Sequence, residues 1–382
     1  MKILFLNYEY PPLGGGAANA TAYILREYAR IPNLKVDLVT SSVDNKYHKE
    51  KIGENVIIHK LPIGKNQTNL HFQSQKDLLI YAWKAYWFSK KLAVKNNYNL
   101  THSFFTVPSG FISYLLKKQL KIPYIISLRG SDVPGYSDRF SLIYNFLTPL
   151  IKFIWKKADA VVSNSEGLKK LALKTNSNQK IEIIYNGIDT SKFKSNDEKD
   201  EKEFIITPGA SRITDRKGLN YLIEAIAKLT PKYPQIKLKI MGDGNARVAL
   251  EKQVEKLNIS DKTEFLGRIP REKTTSYYQE SSLFVLPSLN EGMSNAMLEA
   301  LASGLPIITT NTGGAEELVS NEKNGYLIKM KNSADIAKKI EKLITHPELR
   351  KKMGKASREK ALEMNWKKIA EDYYKLYERV KS

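Results

Sequence analysis

The 382-residue chain has no cysteine. That excludes disulfides, thiolate zinc sites and cysteine nucleophiles together, and suits a reducing compartment. Histidine is nearly as scarce, with five in all; no two have metal-ligand spacing and no convincing D-x-D pair exists, so neither a metal nor any other cofactor is expected. No run of about 18 apolar residues occurs, so no membrane-spanning helix is expected. The opening Met1-Lys2-Ile3-Leu4-Phe5-Leu6 is too short for a signal peptide before it meets Pro11-Pro12, and a cytoplasmic protein is expected. Negative charge is also in deficit: 40 Asp and Glu against 61 Lys and Arg leave a net +21. Such an excess points to a polyanionic partner, whether nucleic acid, an anionic membrane or a phosphorylated substrate.

What is present suffices for folded cores, since 42% of the residues are hydrophobic, and the length suits two domains. The charge is uneven: residues 1–195 carry +15 and the remainder +6. Short apolar runs such as Lys2–Asn7, Lys35–Ser41, Tyr124–Leu128 and Ala160–Ser163 alternate with helical patterns, and a second series runs from Glu203–Thr207 to Pro306–Thr309. Unbroken apolar strands spaced by amphipathic helices predict α/β domains with doubly wound parallel sheets. The charged run Ser195–Lys202 reads as the seam between them. The expected division is 1–195, 196–365 and a final helix over 366–382, where Ile369, Tyr373, Leu376 and Val380 recur at helical spacing.

Three places could carry chemistry. The first strand runs into Pro11-Pro12-Leu13-Gly14-Gly15-Gly16, where small residues let the backbone approach a ligand and a following helix offers free N–H groups. The spacing is not G-x-G-x-x-G and no acidic residue closes the second strand, so a nicotinamide cofactor is disfavoured. In the second domain Arg212 and Lys217 flank a small-residue turn after a strand, a pairing able to clamp a diphosphate or to be a solvated basic loop. Glu291 then precedes a predicted helix capped by Ser294 or Asn295, with Glu299 inside it. The amides of Gly292, Met293, Ser294 and Asn295 lie at that helix's start, and Thr312-Gly313-Gly314 is a further phosphate-turn candidate.

The stretch Glu291–Glu299 resembles the E-x7-E motif of the family 4 retaining glycosyltransferases, as do PPLGGGA, YNGIDTSKF (185–193), the Arg212/Lys217 pair, EALASGLPI (299–307), TGGAEELV (312–319) and NGYLI (324–328). The pieces run over nearly the whole chain in the family's order. The resemblance implies a GT-B architecture: two Rossmann-like domains facing across a cleft, with the last helix returning to the first. It implies a metal-independent hexosyltransferase acting on a nucleotide-sugar, UDP- or GDP-linked, with a glycan or lipid-linked acceptor, in cell-surface polysaccharide or glycoconjugate synthesis. By motif match, Arg212 and Lys217 would hold the donor diphosphate, Glu291 the donor sugar and Glu299 the ribose. Gly15 and Gly16 would approach the phosphates, and Arg268 and Ile269 would contact the base. Where many members carry a histidine, this chain has Arg129-Gly130-Ser131-Asp132. Arg129 cannot act as a base, its pKa exceeding about 12. It could hold an anionic group and Asp132 orient an acceptor hydroxyl, or the two could form a structural ion pair. His102 is a further acceptor-side candidate, though a lone histidine is more often structural.

Leu78–Leu92 and Phe140–Lys157 are aromatic-rich and end in lysines. Either helix alone reads as core aromatics with solvated ends; the domain's positive balance tips the reading towards peripheral contact with an anionic membrane, at the inner face of the cytoplasmic membrane. Nucleic acid is not expected as a partner, because no recognised module appears. The alternatives are a GT-B epimerase or phosphorylase, or a non-catalytic basic binding protein.

Overall fold

The computed structural model describes residues 1–65, 70, 73–136, 141–196, 202–209, 211–270, 273–290 and 293–381, with the backbone alone at 141–143, 145 and 211. The chain forms two compact units, Met1–Asn186 with Trp366–Ser382, and Gly187–Asn365.

The first unit holds β1 (Lys2–Leu6), α1 (Gly16–Tyr28), β2 (Lys35–Ser41), β3 (His48–Ile52), β4 (Val56–Leu61), α2 (Gln75–Lys95), β5 (Leu100–Phe104), α3 (Phe111–Leu120), β6 (Tyr124–Leu128), α4 (Ser141–Lys157), β7 (Ala160–Ser163), α5 (Glu166–Thr175) and β8 (Glu182–Ile183). Its sheet runs β3-β4-β2-β1-β5-β6-β7-β8, parallel except for the β3–β4 hairpin. The central strands are buried on both faces; β1 is accordingly an apolar run, whereas β5 (LTHSF) and β6 (YIISL) also bury the polar residues Thr101, His102, Ser103 and Ser127. Strand β3 (HKEKI) is not among the predicted strands; it is a charged, mostly exposed edge, and lysines on an edge discourage further pairing. Helix α2 starts at a capping box: Ser74 accepts the Asp77 N–H and Asp77 accepts the Ser74 N–H.

The second unit contains β9 (Phe204–Thr207), β10 (Ser211–Arg212), α6 (Leu219–Leu229), β11 (Ile236–Asp243), α7 (Arg247–Lys256), β12 (Thr263–Gly267), α8 (Thr274–Glu280), β13 (Leu283–Leu286), α9 (Asn295–Ala302), β14 (Ile307–Thr310), α10 (Ala315–Leu318), β15 (Gly325–Ile328), α11 (Ser333–Thr345) and α12 (Pro347–Leu362). The sheet order is β10-β11-β9-β13-β14-β15, with β12 also on β11, all parallel. The very short β10 and the strand β15 inside NGYLI are likewise additions to the expected set.

The last helix, α13 (Trp366–Val380), groups with the first unit. It buries Trp366, Ile369, Tyr373, Leu376 and Tyr377 and packs on α1, where Trp366 stacks on Tyr23 at 5.2 Å. The first boundary falls after Asn186, ahead of the seam expected at 195/196. Segment 187–195 is tied into the second unit: Ile188 donates its N–H to the Met364 carbonyl at 2.8 Å, and the Arg358 guanidinium donates to the carbonyls of Thr190 and Phe193. Composition marked the charged run, whereas hydrogen bonding sets the division.

Candidate active site

In an open parallel sheet, ligands bind outside the carboxyl ends of the strands where the strand order reverses. In the second unit that point lies at β9, since the chain first builds β11 on one side of it and later β13 on the other. The loops leaving β9 and β13 therefore meet there. The first carries Arg212 and Lys217; the second leads to Ser294 and α9. They are joined directly, because Leu289 donates its N–H to the Arg216 carbonyl at 2.7 Å. Arg212 is exposed and Lys217 half-buried.

Ser294 caps α9, its hydroxyl accepting the Met297 N–H at 3.3 Å, so Asn295 is the first helical residue. Met293 and Ser294 are buried and Asn295 is half-buried. Glu299, one turn in, is buried and accepts a 2.9 Å hydrogen bond from the Tyr278 hydroxyl. Arg268, exposed, and Ile269, half-buried, follow β12 at the same carboxyl edge. Glu291 and Gly292 lie outside the described residues. Among the described residues no three His, Asp or Glu side chains gather as a metal set.

In the first unit the reversal is at β1, between β2 and β5. The loop after β1 holds Gly15, which precedes α1, and Gly16, its first residue. Gly14 has φ +91°, and a Cβ there would meet the Glu9 carboxyl at 2.5 Å, whereas a Cβ on Gly15 would meet nothing within 4 Å. Glu9 accepts the Gly15 N–H at 3.3 Å, and burial pushes its carboxyl up to about 7 against the lowering effect of the Gly15 and Ala18 N–H groups. The loop after β5 approaches the same place, Phe105 stacking on Tyr8 at 4.7 Å.

His102, Arg129 and Asp132 are placed in the interior of this unit. His102 is fully buried between Tyr377 Oη on Nδ1 (2.6 Å) and Ser127 Oγ on Nε2 (2.8 Å), with Phe5 stacked on its ring. Burial, and then the Arg129 charge, push its pKa well below the usual histidine range, so it stays neutral. Arg129 lies over the Phe104 ring and donates to Asn186 Oδ1 (2.8 Å) and Tyr373 Oη (3.0 Å). Asp132 accepts four hydrogen bonds: the N–H groups of Arg129, Gly130 and Thr106, and the Thr106 hydroxyl. Its carboxylate thus meets the Arg129 backbone rather than the guanidinium, which is not the ion pair considered as one alternative, and staples two loops together.

Two residues at these crevices escaped the sequence reading. Tyr278 belongs to no motif, and Glu9 stands alone before a Pro-Pro pair. Position at the end of β1 was the only signal available for Glu9.

The family model described as Glycosyltransferase Family 4 matches residues 14–192, and that described as Glycosyl transferases group 1 matches residues 188–360. The chain belongs to the family 4 glycosyltransferases. An uncharacterised glycosyltransferase of Methanocaldococcus jannaschii is 29% identical over 382 residues, all of this chain and 99% of that one. Among solved structures, sucrose-phosphate synthase from Thermosynechococcus elongatus superposes with a TM-score of 0.83 at 22% identity, over 99% of this glycosyltransferase and 98% of that chain. HepE from Anabaena, in complex with UDP-glucose, gives 0.74 at 18% identity, over 99% and 100%. Both likenesses establish the fold, two parallel-sheet Rossmann-like domains of the GT-B type.

Proposed function

We propose that this glycosyltransferase moves a hexose from a UDP- or GDP-linked donor to a hydroxyl of a glycan or lipid-linked acceptor, with retention of configuration and without a metal ion. The observation that carries the reading is the junction of the β9 and β13 loops through Leu289 and Arg216. It sets the Arg212/Lys217 loop against the loop that leads to the amide end of α9, a pairing suited to a diphosphate. Glu299, held by Tyr278, is suited to ribose hydroxyls. HepE, of the same fold, holds UDP-glucose, which supports the donor class.

The acceptor oxygen would bond to the anomeric carbon on the face from which the diphosphate leaves. The carbon–oxygen bond to the phosphate breaks with its electron pair on the leaving group. The hydroxyl proton passes to a phosphate oxygen, so the products are a glycoside and a nucleoside diphosphate. No side-chain base is needed, which suits an Asp132 carboxylate already accepting four hydrogen bonds. The protein's contribution is then to orient two sugars and to neutralise the leaving group. Cell-surface polysaccharide or glycoconjugate is the product class that fits a glycan or lipid-linked acceptor.

The test is a thermal-shift screen against UDP, GDP, ADP and their sugars, followed by product analysis by NMR with the donor that binds. Stabilisation by one donor, nucleotide release that needs an acceptor, an unchanged anomeric configuration and indifference to EDTA are expected. An inverted product overturns retention. Release that needs inorganic phosphate identifies a phosphorylase, and sugar conversion without an acceptor an epimerase.

A further inference from the structure

The positive charge of the first unit is not spread evenly over its surface. Right-handed crossovers place α2, α3 and α4 on one face of the sheet and α1 on the other, with α13 packed on α1. Helices α2, α3 and α4 contain ten lysines and one acidic residue, Asp77, which is itself paired with Lys65 at 3.0 Å. On the opposite face α1 and α13 hold five basic and four acidic residues. The basic excess is therefore a property of one helical layer.

The same layer exposes large apolar side chains that a solvated face would not need. Leu79, Trp83 and Trp87, four residues apart on α2, are 72%, 67% and 52% exposed, and Phe146 on α4 is 84% exposed. They are not the core residues of these helices, since Tyr81 on α2 and Trp155 on α4 fill that role fully buried. Successive positions at this spacing are about 6 Å apart along the axis, so the three form a stripe. Beside it lies an apolar groove of about 640 Å³ lined by Tyr47, Leu61, Pro62, Trp83, Trp87 and Phe88. Lys90 sits over the Trp87 ring at 5.4 Å, and Lys91 on α2, Lys118 on α3 and Lys152 and Lys156 on α4 are exposed.

We infer that the outer face of α2, α3 and α4 docks on an anionic bilayer, with Leu79, Trp83 and Trp87 entering the headgroup region and the lysines meeting lipid phosphates. Lysines bring about 1 kcal/mol each near an anionic surface, and tryptophan favours the lipid–water boundary, having an apolar body and one N–H donor. A soluble polyanion would be served by the lysines alone and leaves the leucine and phenylalanine unexplained. The α2 end of the stripe lies close to the glycine turn, because Gly14 donates its N–H to the Leu70 carbonyl at 2.8 Å just before α2. Docking would thus hold the carboxyl edge of this sheet beside the lipid surface. The surface stands independently of which sugar is moved.

Of the four tryptophans, Trp155 and Trp366 are buried, so lipid-borne quenchers report on Trp83 and Trp87. Sedimentation of the full chain with phosphatidylcholine vesicles containing about 30% phosphatidylglycerol, at low salt, is expected to show binding that weakens with salt and with removal of the anionic lipid. Brominated lipid is expected to quench the tryptophan fluorescence. The double variant W83S/W87S should lose about tenfold or more of the partitioning while keeping its circular dichroism and its thermal shift with nucleotide-sugar. Absence of binding, equal binding to neutral vesicles, an unaltered double variant, or binding without quenching would each overturn the inference. The donor-induced shift, read on the same samples, separates such a failure from failure of the transferase reading.

Discussion

The Tyr278 hydroxyl donates a 2.9 Å hydrogen bond to Oε2 of Glu299, and both side chains are buried in the second unit. The same hydroxyl lies 2.7 Å from where a Cβ on Gly209 would stand, so the turn after β9 closes over it. One tyrosine thereby fixes a carboxylate on α9 and sets the path of the loop that carries Arg212. Removing the hydroxyl takes away a buried partner of a carboxylate, which costs about 1–3 kcal/mol. Tyr278→Phe is accordingly expected to lower stability in urea by that amount and to weaken nucleotide-sugar binding. Calorimetric affinity equal to that of the parent protein would separate Tyr278 from the site.

Arg212 ends β10 and Lys217 ends the short 3-10 turn that follows it, both in the segment between β9 and α6. By analogy with loss of a single preorganised donor, Arg212→Ala or Lys217→Ala should lower turnover by about 10²–10³. Steady-state rates on folded variants check this, and near-normal rates in both would remove the diphosphate from this loop.

The parallel α/β class was legible because strands buried on both faces are mostly apolar, as Ile3 to Leu6 are and Tyr124 to Leu128 are apart from Ser127. Strand β3 was not, since an edge strand needs no apolar face. In the second unit the candidate residues Arg212, Ser294 and Glu299 could be picked out because each stands in a short motif. Tyr278 was hidden: 21 residues separate it from Glu299, and only the folded sheet brings the two together. His102 lies within β5 and Asp132 in the loop after β6, and sequence alone cannot tell that their polar atoms are already paired.

The glycine turn gives a paired prediction. Gly14→Ala forces a methyl against the Glu9 carboxyl at φ +91°, and should cost about 1–3 kcal/mol of stability. Gly15→Ala meets no neighbour within 4 Å, so it should lose less stability than Gly14→Ala. Loss of turnover in Gly15→Ala despite normal melting would place a ligand against that residue. A normal rate would show that the turn stays clear of substrate.

His102 joins a buried chain of hydrogen bonds from Tyr28 through Tyr377, His102, Ser127 and Tyr373 to Arg129 and Asn186. His102→Ala leaves a cavity beside Phe5 and two hydroxyls without their partner, a loss of about 2–4 kcal/mol. The rate per folded molecule and its pH profile should be unchanged. A shifted profile with normal stability would make His102 catalytic.

Glu9 gives the pH dependence its sign. Its carboxyl titrates at about 7 in the folded chain against 4.5 for the ordinary group, because burial disfavours the ionised form. The folded state therefore binds this proton more tightly than the unfolded chain does. The stability linked to it is fully present below about 4.5 and is lost as pH rises through about 7. Glu9→Gln, which keeps the shape of the neutral acid, should match the parent at pH about 5 and exceed it by about 1–3 kcal/mol at pH about 8. Urea titrations at the two pH values measure the difference directly. A variant less stable at both would show instead that the ionised carboxylate, through the Gly15 N–H, is what holds the glycine turn.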